Sequence, residues 1–414
     1  MNEITKWKIL LLKHGIRFQP PTLFNDFPKI ENYKLKYRNI DVKRDNFQVY
    51  DKGTDKSVIP AEVLLSDGEY KSVTKLRFDE NSPILLTIKN GKISIRHENE
   101  IANIQIELVE KNKILEKQIP EGISSKQRHI GDYVGIVGLN RITFLFFEGC
   151  FNWNCGKNCK FCDLHPKREE EDTVIPSLNN LWRYDMNIEK WWKAQKEEYL
   201  NCLAYSLKTV LQESKLKNFH LYFMAGNCEN SVQTWNIVEE TLNFLAKTID
   251  FAPFNNYLNV GPHDNIERLK RMKLIGLKQV QYNLEVVGAT RFADACPGKM
   301  NYEIFVEKLY EAVKVFGKSN VRSNFVFGLT PEKVLLEFAK NCAEKGVVMD
   351  YSVFQPKKNT QYYNKPAPSF DSVVSFTKKL SGIYKKHNFK PIFDSLSSRS
   401  SIINEIYNEV QNGT

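Results

Sequence analysis

From about residue 140 onward, short apolar runs alternate with longer stretches whose apolar residues recur at i, i+3 and i+4, the patterns of buried strands and amphipathic helices in turn. The spacing predicts strands over Ile142–Phe147, Phe219–Met224, Tyr257–Val260, Gln279–Leu284, Val321–Phe327 and Val348–Phe354. It predicts helices approximately over Ile188–Gln212, Trp235–Ile249, Ile266–Leu274, Tyr302–Phe316, Glu332–Glu344 and Phe370–Lys386. Six consecutive strand–helix units with right-handed crossovers imply an α/β fold, a parallel sheet curled into a complete or partial (β/α)6 barrel, with chemistry at the C-terminal strand ends.

Residues 1–135 read differently. Mixed strands, Pro20-Pro21, and an Asn90-Gly91 turn between the alternating segments Ile84–Lys89 and Lys92–Arg96 indicate a β-rich accessory domain with a type I′ hairpin. The expected division is an N-terminal accessory domain over 1–135, the barrel over 136–395, and a C-terminal helix or tail over 396–414. Loops 163–187 and 355–369 are long enough to cover the barrel mouth.

At 414 residues and 42% hydrophobic content the chain can bury a large core, which excludes a disordered protein. The formal charge of +10 favours an anionic partner, such as a nucleotide, a phosphorylated metabolite or nucleic acid, but the lysines are spread without a long basic run and read as a solvated surface. The segment Arg268–Lys273 and the acidic run Arg168–Asp172 define no site. The apolar run Ile9–Leu12 is too short for a signal peptide, and no stretch reaches the length of a membrane span, so the expectation is a cytoplasmic protein with reduced thiols and no membrane partner.

Three of the eight cysteines, Cys155, Cys159 and Cys162, follow the first strand at C-x3-C-x2-C spacing. A loop of this kind directs three thiolates at one point, and three ligands leave one iron of a cubane cluster open to an exogenous group. Cys150 is a fourth nearby cysteine, the number a structural zinc takes. Zinc sites usually pair two separated C-x2-C elements, and here there is one such pair with only His165 near it, so the spacing favours the cluster over zinc or disulfides.

This loop, with Phe161 before its last cysteine and an apolar strand leading in, resembles the cluster loop of radical S-adenosylmethionine enzymes. Ala225-Gly226-Asn227 ends the second strand where those enzymes carry a Gly-Gly-Glu-like turn for the ammonium group of the methionine; Asn227 replaces the usual acid, and Glu229 is the substitute. Asn283 and Glu285 end the fourth strand as in biotin synthase and lipoyl synthase, where the acid hydrogen-bonds the cofactor ribose. The fifth strand, with Val326 and Gly328, resembles the segment of that branch that packs on the adenine, and the sixth, with Phe354 as a further cofactor contact, resembles its final Pro-x-x-Gly-Thr turn.

Departures matter as much. The positions of the second-cluster cysteines of biotin synthase are Leu258 or Asn259 and Arg322, and the extra cysteine motif of lipoyl synthase is absent, so sulfur insertion is not expected. Cys228 and Cys296 follow the second and fourth strands and are the candidate catalytic thiols, as hydrogen-atom donors, against the plain reading of buried inert cysteine; Cys202 and Cys342 fall on helices as core.

The resemblance implies a 4Fe–4S cluster on Cys155, Cys159 and Cys162, S-adenosylmethionine as cofactor, and an electron donor such as flavodoxin or ferredoxin. It implies a 5′-deoxyadenosyl radical that takes a hydrogen atom from a small, anionic metabolite, for rearrangement, cyclisation, dehydrogenation or epimerisation. Modification of RNA or a peptide is the alternative, and a zinc- or cluster-stapled structural or nucleic-acid-binding protein is the non-enzymatic rival.

Overall fold

A computed structural model describes residues 1–18, 33–38, 57–79, 81–89, 92–147, 150–162, 188–357 and 360–409. Pro20-Pro21, the Asn90-Gly91 turn, the loop 163–187 with His165 and the acidic run, and Lys358-Asn359 lie outside the described residues.

Six parallel strands, β1 (Arg141–Leu145), β2 (His220–Met224), β3 (Asn255–Asn259), β4 (Gln279–Gln281), β5 (Val321–Phe327) and β6 (Val347–Val353), stand side by side in chain order. The strand Gly135–Val137 pairs antiparallel with β1 and makes the seventh member of the sheet. Among the described residues the first and last strands do not pair with each other, so the sheet stays open. This sequential order requires a crossover after every strand. The crossovers contain α1 (Ile188–Glu213), α2 (Ser231–Ala246), α3 (Ile266–Leu274), α4 (Tyr302–Phe316) and α5 (Glu332–Glu344), and α6 (Phe370–Lys386) follows β6. The α/β class and the parallel sheet expected from the pattern are both present.

Helix starts follow local chemistry. Asn230, Asn265, Asn301 and Ser369 accept backbone N–H bonds in the first turns of α2, α3, α4 and α6. The cap at Asn230 starts α2 earlier than the apolar periodicity suggests, at Ser231. Trp235, Val238, Leu242 and Leu245 then form its buried stripe.

The faces of the strands divide by period two. Leu221, Phe223, Leu258 and Val280 point to the helices and are fully or almost fully buried in the main core. Tyr222, Asn259 and Gln281 share the opposite face and bond to one another: Asn259 Nδ2 donates to the Tyr222 hydroxyl at 2.7 Å, and that hydroxyl donates to Gln281 Oε1 at 3.3 Å. The strand expected to run to Leu284 stops at Gln281, because the Leu284 N–H is taken by the Ser323 hydroxyl at 3.0 Å and Glu285 turns to φ 72°, leaving a lone bridge to Phe325.

The N-terminal residues form a helix, Glu3–His14, and three small sheets. Ile84–Lys89 pairs with Lys92–His97 from Ile84↔His97 to Lys89↔Lys92, the register of a two-residue hairpin connection. The segment after α6 runs between regions. Leu139 N–H donates to Leu396 C=O and Val353 N–H to Ser400 C=O, while Val73 and Lys75 N–H bond to Ser395 and Arg399 C=O. Lys8 and Glu405, both wholly buried, pair at 2.9 Å, and the Lys8 ammonium also donates to the Ser72 hydroxyl and the Ser398 carbonyl.

Candidate functional site

Just beyond β1 the chain makes a short helix, Phe151–Asn154, and then two tight turns. The segment is tied to the neighbouring strand ends. Phe151 N–H donates to the Asn227 carbonyl after β2 at 2.7 Å, and Lys160 N–H donates to the Ala295 carbonyl after β4 at 2.9 Å. Gly298 packs so closely on this loop that a Cβ there would run into the Asn152 side chain and the Lys157 carbonyl. The Ala295–Lys299 turn and the cysteine loop therefore act as one packed unit.

Beside this unit is a cavity of about 600 Å³ at the C-terminal ends of the strands. Cys150, Cys159, Phe161 and Cys162 form one wall. Ala225, Gly226, Asn227, Cys228 and Glu229 form a second, and Asn283, Glu285 and Lys299 a third. Thus Phe161, Ala225, Gly226, Asn227, Glu229, Asn283 and Glu285 come together around one space, whereas Val326, Gly328 and Phe354 line no part of it. Val326 and Phe354 are buried, and Gly328, at φ 112°, lies where a Cβ would be 3.1 Å from Pro368 and 3.2 Å from Phe354.

Three thiols are the donor set an iron–sulfur cluster takes, and Cys159 and Cys162 open on the cavity. Cys155 is exposed, with its thiol 3.6 Å from the Asn152 carbonyl, and among the described residues no three His, Cys, Asp or Glu side chains stand close enough to hold a metal ion. The donor chemistry fits a cluster once Cys155 turns inward. Gly156, at φ 68° with open space around it, gives the loop freedom for that turn, consistent with metal sites that form on metal binding.

The two candidate thiols differ. Cys228 lines the cavity and is buried, and burial raises its pKa to about 12, so it is a neutral S–H at any physiological pH. Cys296 is 1% exposed and lies behind the wall, in a hydrogen bond with Cys159 that pushes the Cys159 thiol up and the Cys296 thiol down. Cys202 and Cys342 are fully buried on α1 and α5.

Glu285 is placed under backbone strain. A non-glycine residue at φ 72° costs on the order of 1–3 kcal/mol, and such strain gathers at functional sites. Its N–H and C=O are both used, to Asn324 C=O and from Val326 N–H at 2.8 Å each, so the carboxylate is held on a fixed stem. Lys299 lies 3.6 Å from it and donates to the Asn283 carbonyl at 2.5 Å. Burial opposes the Lys299 charge, but Glu285 and the neighbouring thiols hold its pKa above the usual lysine range.

Of the positions left open between Leu258 and Asn259, it is Asn259 that lines the cavity; Leu258 faces the helices. Arg322 is committed elsewhere, in a two-pronged ion pair with Asp350. Residues not singled out by the sequence also line the space, namely Lys299, Asn259, Phe305 and Arg399. For Asn259 a signal existed, since a polar residue at the end of a buried parallel strand marks the face that opens on the site; Arg399, beyond the last strand–helix unit, carried none.

No protein-family model matches the chain. A bacteriochlorophyllide c C-7(1)-hydroxylase from Chlorobaculum limnaeum is 25% identical over 267 residues, which take in 61% of this chain and 62% of the relative, less than two thirds of its length. Among solved structures, the FeFe-hydrogenase maturase HydG from Carboxydothermus hydrogenoformans matches at TM-score 0.39 and 14% identity, over 63% of this chain and 57% of that one. Coproporphyrinogen III oxidase (HemN) from Escherichia coli, a radical SAM enzyme, matches at TM-score 0.39 and 12% identity, over 67% and 58%.

Proposed function

We propose that this chain is a radical S-adenosylmethionine enzyme, which cleaves S-adenosylmethionine reductively and takes a hydrogen atom from a small, anionic metabolite. The observation that carries the reading is the single cavity into which Cys159, Cys162, Asn283 and Glu285 all open, at the end of the sheet where (β/α) proteins keep their chemistry. The open sheet is then the partial (β/α)6 barrel of such enzymes, residues 136–395 its catalytic unit, and residues 1–135 with 396–414 the accessory parts.

Cys155, Cys159 and Cys162 would hold the 4Fe–4S cluster. When bound, the cluster supplies the electron, delivered by a donor such as flavodoxin or ferredoxin, that splits S-adenosylmethionine to methionine and a 5′-deoxyadenosyl radical.

The chain's own residues do the rest. Backbone carbonyls at Ala225 and Gly226 receive the cofactor's ammonium group, with Asn227 or Glu229 beside them. Glu285 accepts from the ribose hydroxyls, its orientation fixed by its two backbone bonds and by Lys299. Lys299 is a cation suited to the cofactor's carboxylate. Phe147 and Phe305 form apolar wall that excludes water from the reacting carbon, whereas Val326, Gly328 and Phe354, which line no part of the cavity, are not assigned to the adenine. Cys228, a neutral S–H on the wall, is the thiol placed to return a hydrogen atom, and the thiyl radical left on it would take an electron from the same donor and a proton to restore the thiol; Cys296, enclosed behind the wall, has no path to the substrate. The relative's name adds hydroxylation at an unactivated position to the reaction types this site suits.

The test is anaerobic. The protein is reconstituted with iron and sulfide, given S-adenosylmethionine and dithionite, and assayed for 5′-deoxyadenosine by mass spectrometry. Formation is expected with the native chain and lost in Cys159→Ala; a fully loaded cluster that yields none in the native chain overturns the reading.

A further inference from the structure

The far end of the same cavity carries charge that no protein group balances. Arg399, from the segment after α6, lines the wall and gives one hydrogen bond, at 2.9 Å, to the buried carboxylate of Glu62. That carboxylate also has Lys34 at 3.6 Å and accepts from the Gly138 N–H at 3.0 Å. Arg141, the first residue of β1, stands close by with its guanidinium carbon 4.5 Å from the Phe393 ring centroid and 5.3 Å from that of Tyr222. Among the described residues its guanidinium makes no hydrogen bond or ion pair, and its Nε is buried without a partner. Burial, and then the charge of Arg399, lower its pKa to about 10.

Three cations therefore face one carboxylate among the described residues. A partly buried guanidinium without its own anion is costly, and a ligand that brought a negative charge there would offset the cost. The groups next to it are polar as well. Asn259 is on the cavity wall, and Tyr222, Gln281 and Asn283 continue its hydrogen-bond row, Gln281 donating to Asn283 at 2.9 Å.

We infer that this end of the cavity is an oxyanion subsite for the substrate, in which Arg399 contacts a carboxylate or phosphate group directly and Arg141 reinforces it from behind Tyr222. The assignment rests on the proposed radical reaction, since it gives the small anionic metabolite its orientation: anion at Arg399, and the carbon to be attacked toward the cysteine loop. Guanidinium forks match both kinds of oxyanion, and the Asn259 to Asn283 row suits a substrate whose body carries hydroxyl or amino groups.

The experiment uses the reconstituted holoprotein in low-salt buffer, titrated calorimetrically with glutarate and separately with inorganic phosphate. Saturable binding of at least one is expected, weakened on the order of tenfold or more in Arg399→Gln and less in Arg141→Gln; whichever probe binds identifies the anion as carboxylate or phosphate. Absence of saturable binding of both, or binding unchanged in Arg399→Gln, overturns the subsite. Arg399→Lys, which keeps the charge next to Glu62, serves if Arg399→Gln fails to fold.

Two further readouts separate the alternatives. Arg141→Gln is expected to raise the melting temperature in probe-free buffer and to lose that advantage at saturating probe; a plain fall in melting temperature marks Arg141 as structural and overturns its role. The change in the reduced cluster's electron paramagnetic resonance on adding S-adenosylmethionine is expected to persist in Arg399→Gln. Its loss there together with probe binding assigns the arginine to the cofactor's carboxylate and overturns the substrate subsite. Its absence in the native protein, with probe binding intact, defeats the proposed function while the anion site stands.

Discussion

The two ends of the parallel sheet treat charge in opposite ways. At the N-terminal ends of the strands, Arg322 and Asp350 meet at 2.8 and 3.0 Å, the Lys390 carbonyl takes another guanidinium proton at 2.9 Å, and the Tyr384 hydroxyl donates to Asp350 at 2.7 Å. At the C-terminal ends, Glu285 sits on a strained backbone 3.6 Å from Lys299, and a thiol points out of its loop. A closed set of partners fastens a structure. An open one keeps valences for something that arrives later, and the strain around it is the cost of readiness.

The largest effect that tests this contrast falls at the closed end. Asp350→Ala leaves Arg322 buried without its carboxylate and should cost about 3–5 kcal/mol in urea unfolding, whereas the double replacement Arg322→Met with Asp350→Leu should come close to the native stability. If the single change is mild, the pair is not a fastener and the contrast fails.

Next comes Gly298→Ala, which forces the Ala295–Lys299 turn away from the cysteine loop. A loss of about 1–3 kcal/mol is expected, together with lower iron content after reconstitution, measured by metal analysis. At the open end Glu285→Gly should relieve strain of roughly 1 kcal/mol while weakening S-adenosylmethionine binding on the order of tenfold, so that melting temperature and affinity move in opposite directions. Both falling together would place Glu285 among the fasteners.

The smallest effect concerns His14, stacked on His97 at 5.7 Å and held by burial, with Lys13 adding to it, at a pKa of about 4. Because the folded value lies below the unfolded one near 6.5, its contribution is complete above that pH and is lost as pH falls toward 4. The urea midpoint of the native protein should therefore drop between pH 6.5 and 4 more than that of His14→Gln, which lacks the titrating ring.

Much of this contrast could be read in advance, and the unread part has a physical cause. The helices Ile266–Leu274, Tyr302–Phe316, Glu332–Glu344 and Phe370–Lys386 and the strand Val321–Phe327 follow the apolar periodicity residue by residue, since one face of each must be buried. Two of the ends that differ are places where a side chain takes over a backbone bond, as Ser323 does at Leu284 and Asn230 at the start of α2. The cysteines, Asn283 and Glu285 are legible because chemistry restricts which residues serve. Lys299, Arg141 and Arg399 are common residue types scattered over the chain, and only the topology brings Lys299 and Arg399 to one cavity and Arg141 near Arg399. Alternation in the strands held a further clue: Tyr222, Asn259 and Gln281 are polar where a buried parallel strand is normally apolar on both faces.

The strap from Ser395 to Glu405 also decides when the molecule can exist at all. Its partners are Lys8, Glu62 and Val73, so the N-terminal helix and strands complete their buried ion pairs only with residues made hundreds of positions later, the Lys8 and Glu405 side chains being 397 apart in sequence. On a ribosome the early strands can pair with one another, but the buried charges of Lys8 and Glu62 wait for Glu405 and Arg399 while the strand–helix units assemble. A chain cut short before the strap would leave Lys8 as a buried charge without its acid and the edge of β6 exposed to other chains. The helix Glu3–His14 is thus held by a strap that emerges only after the strand–helix units.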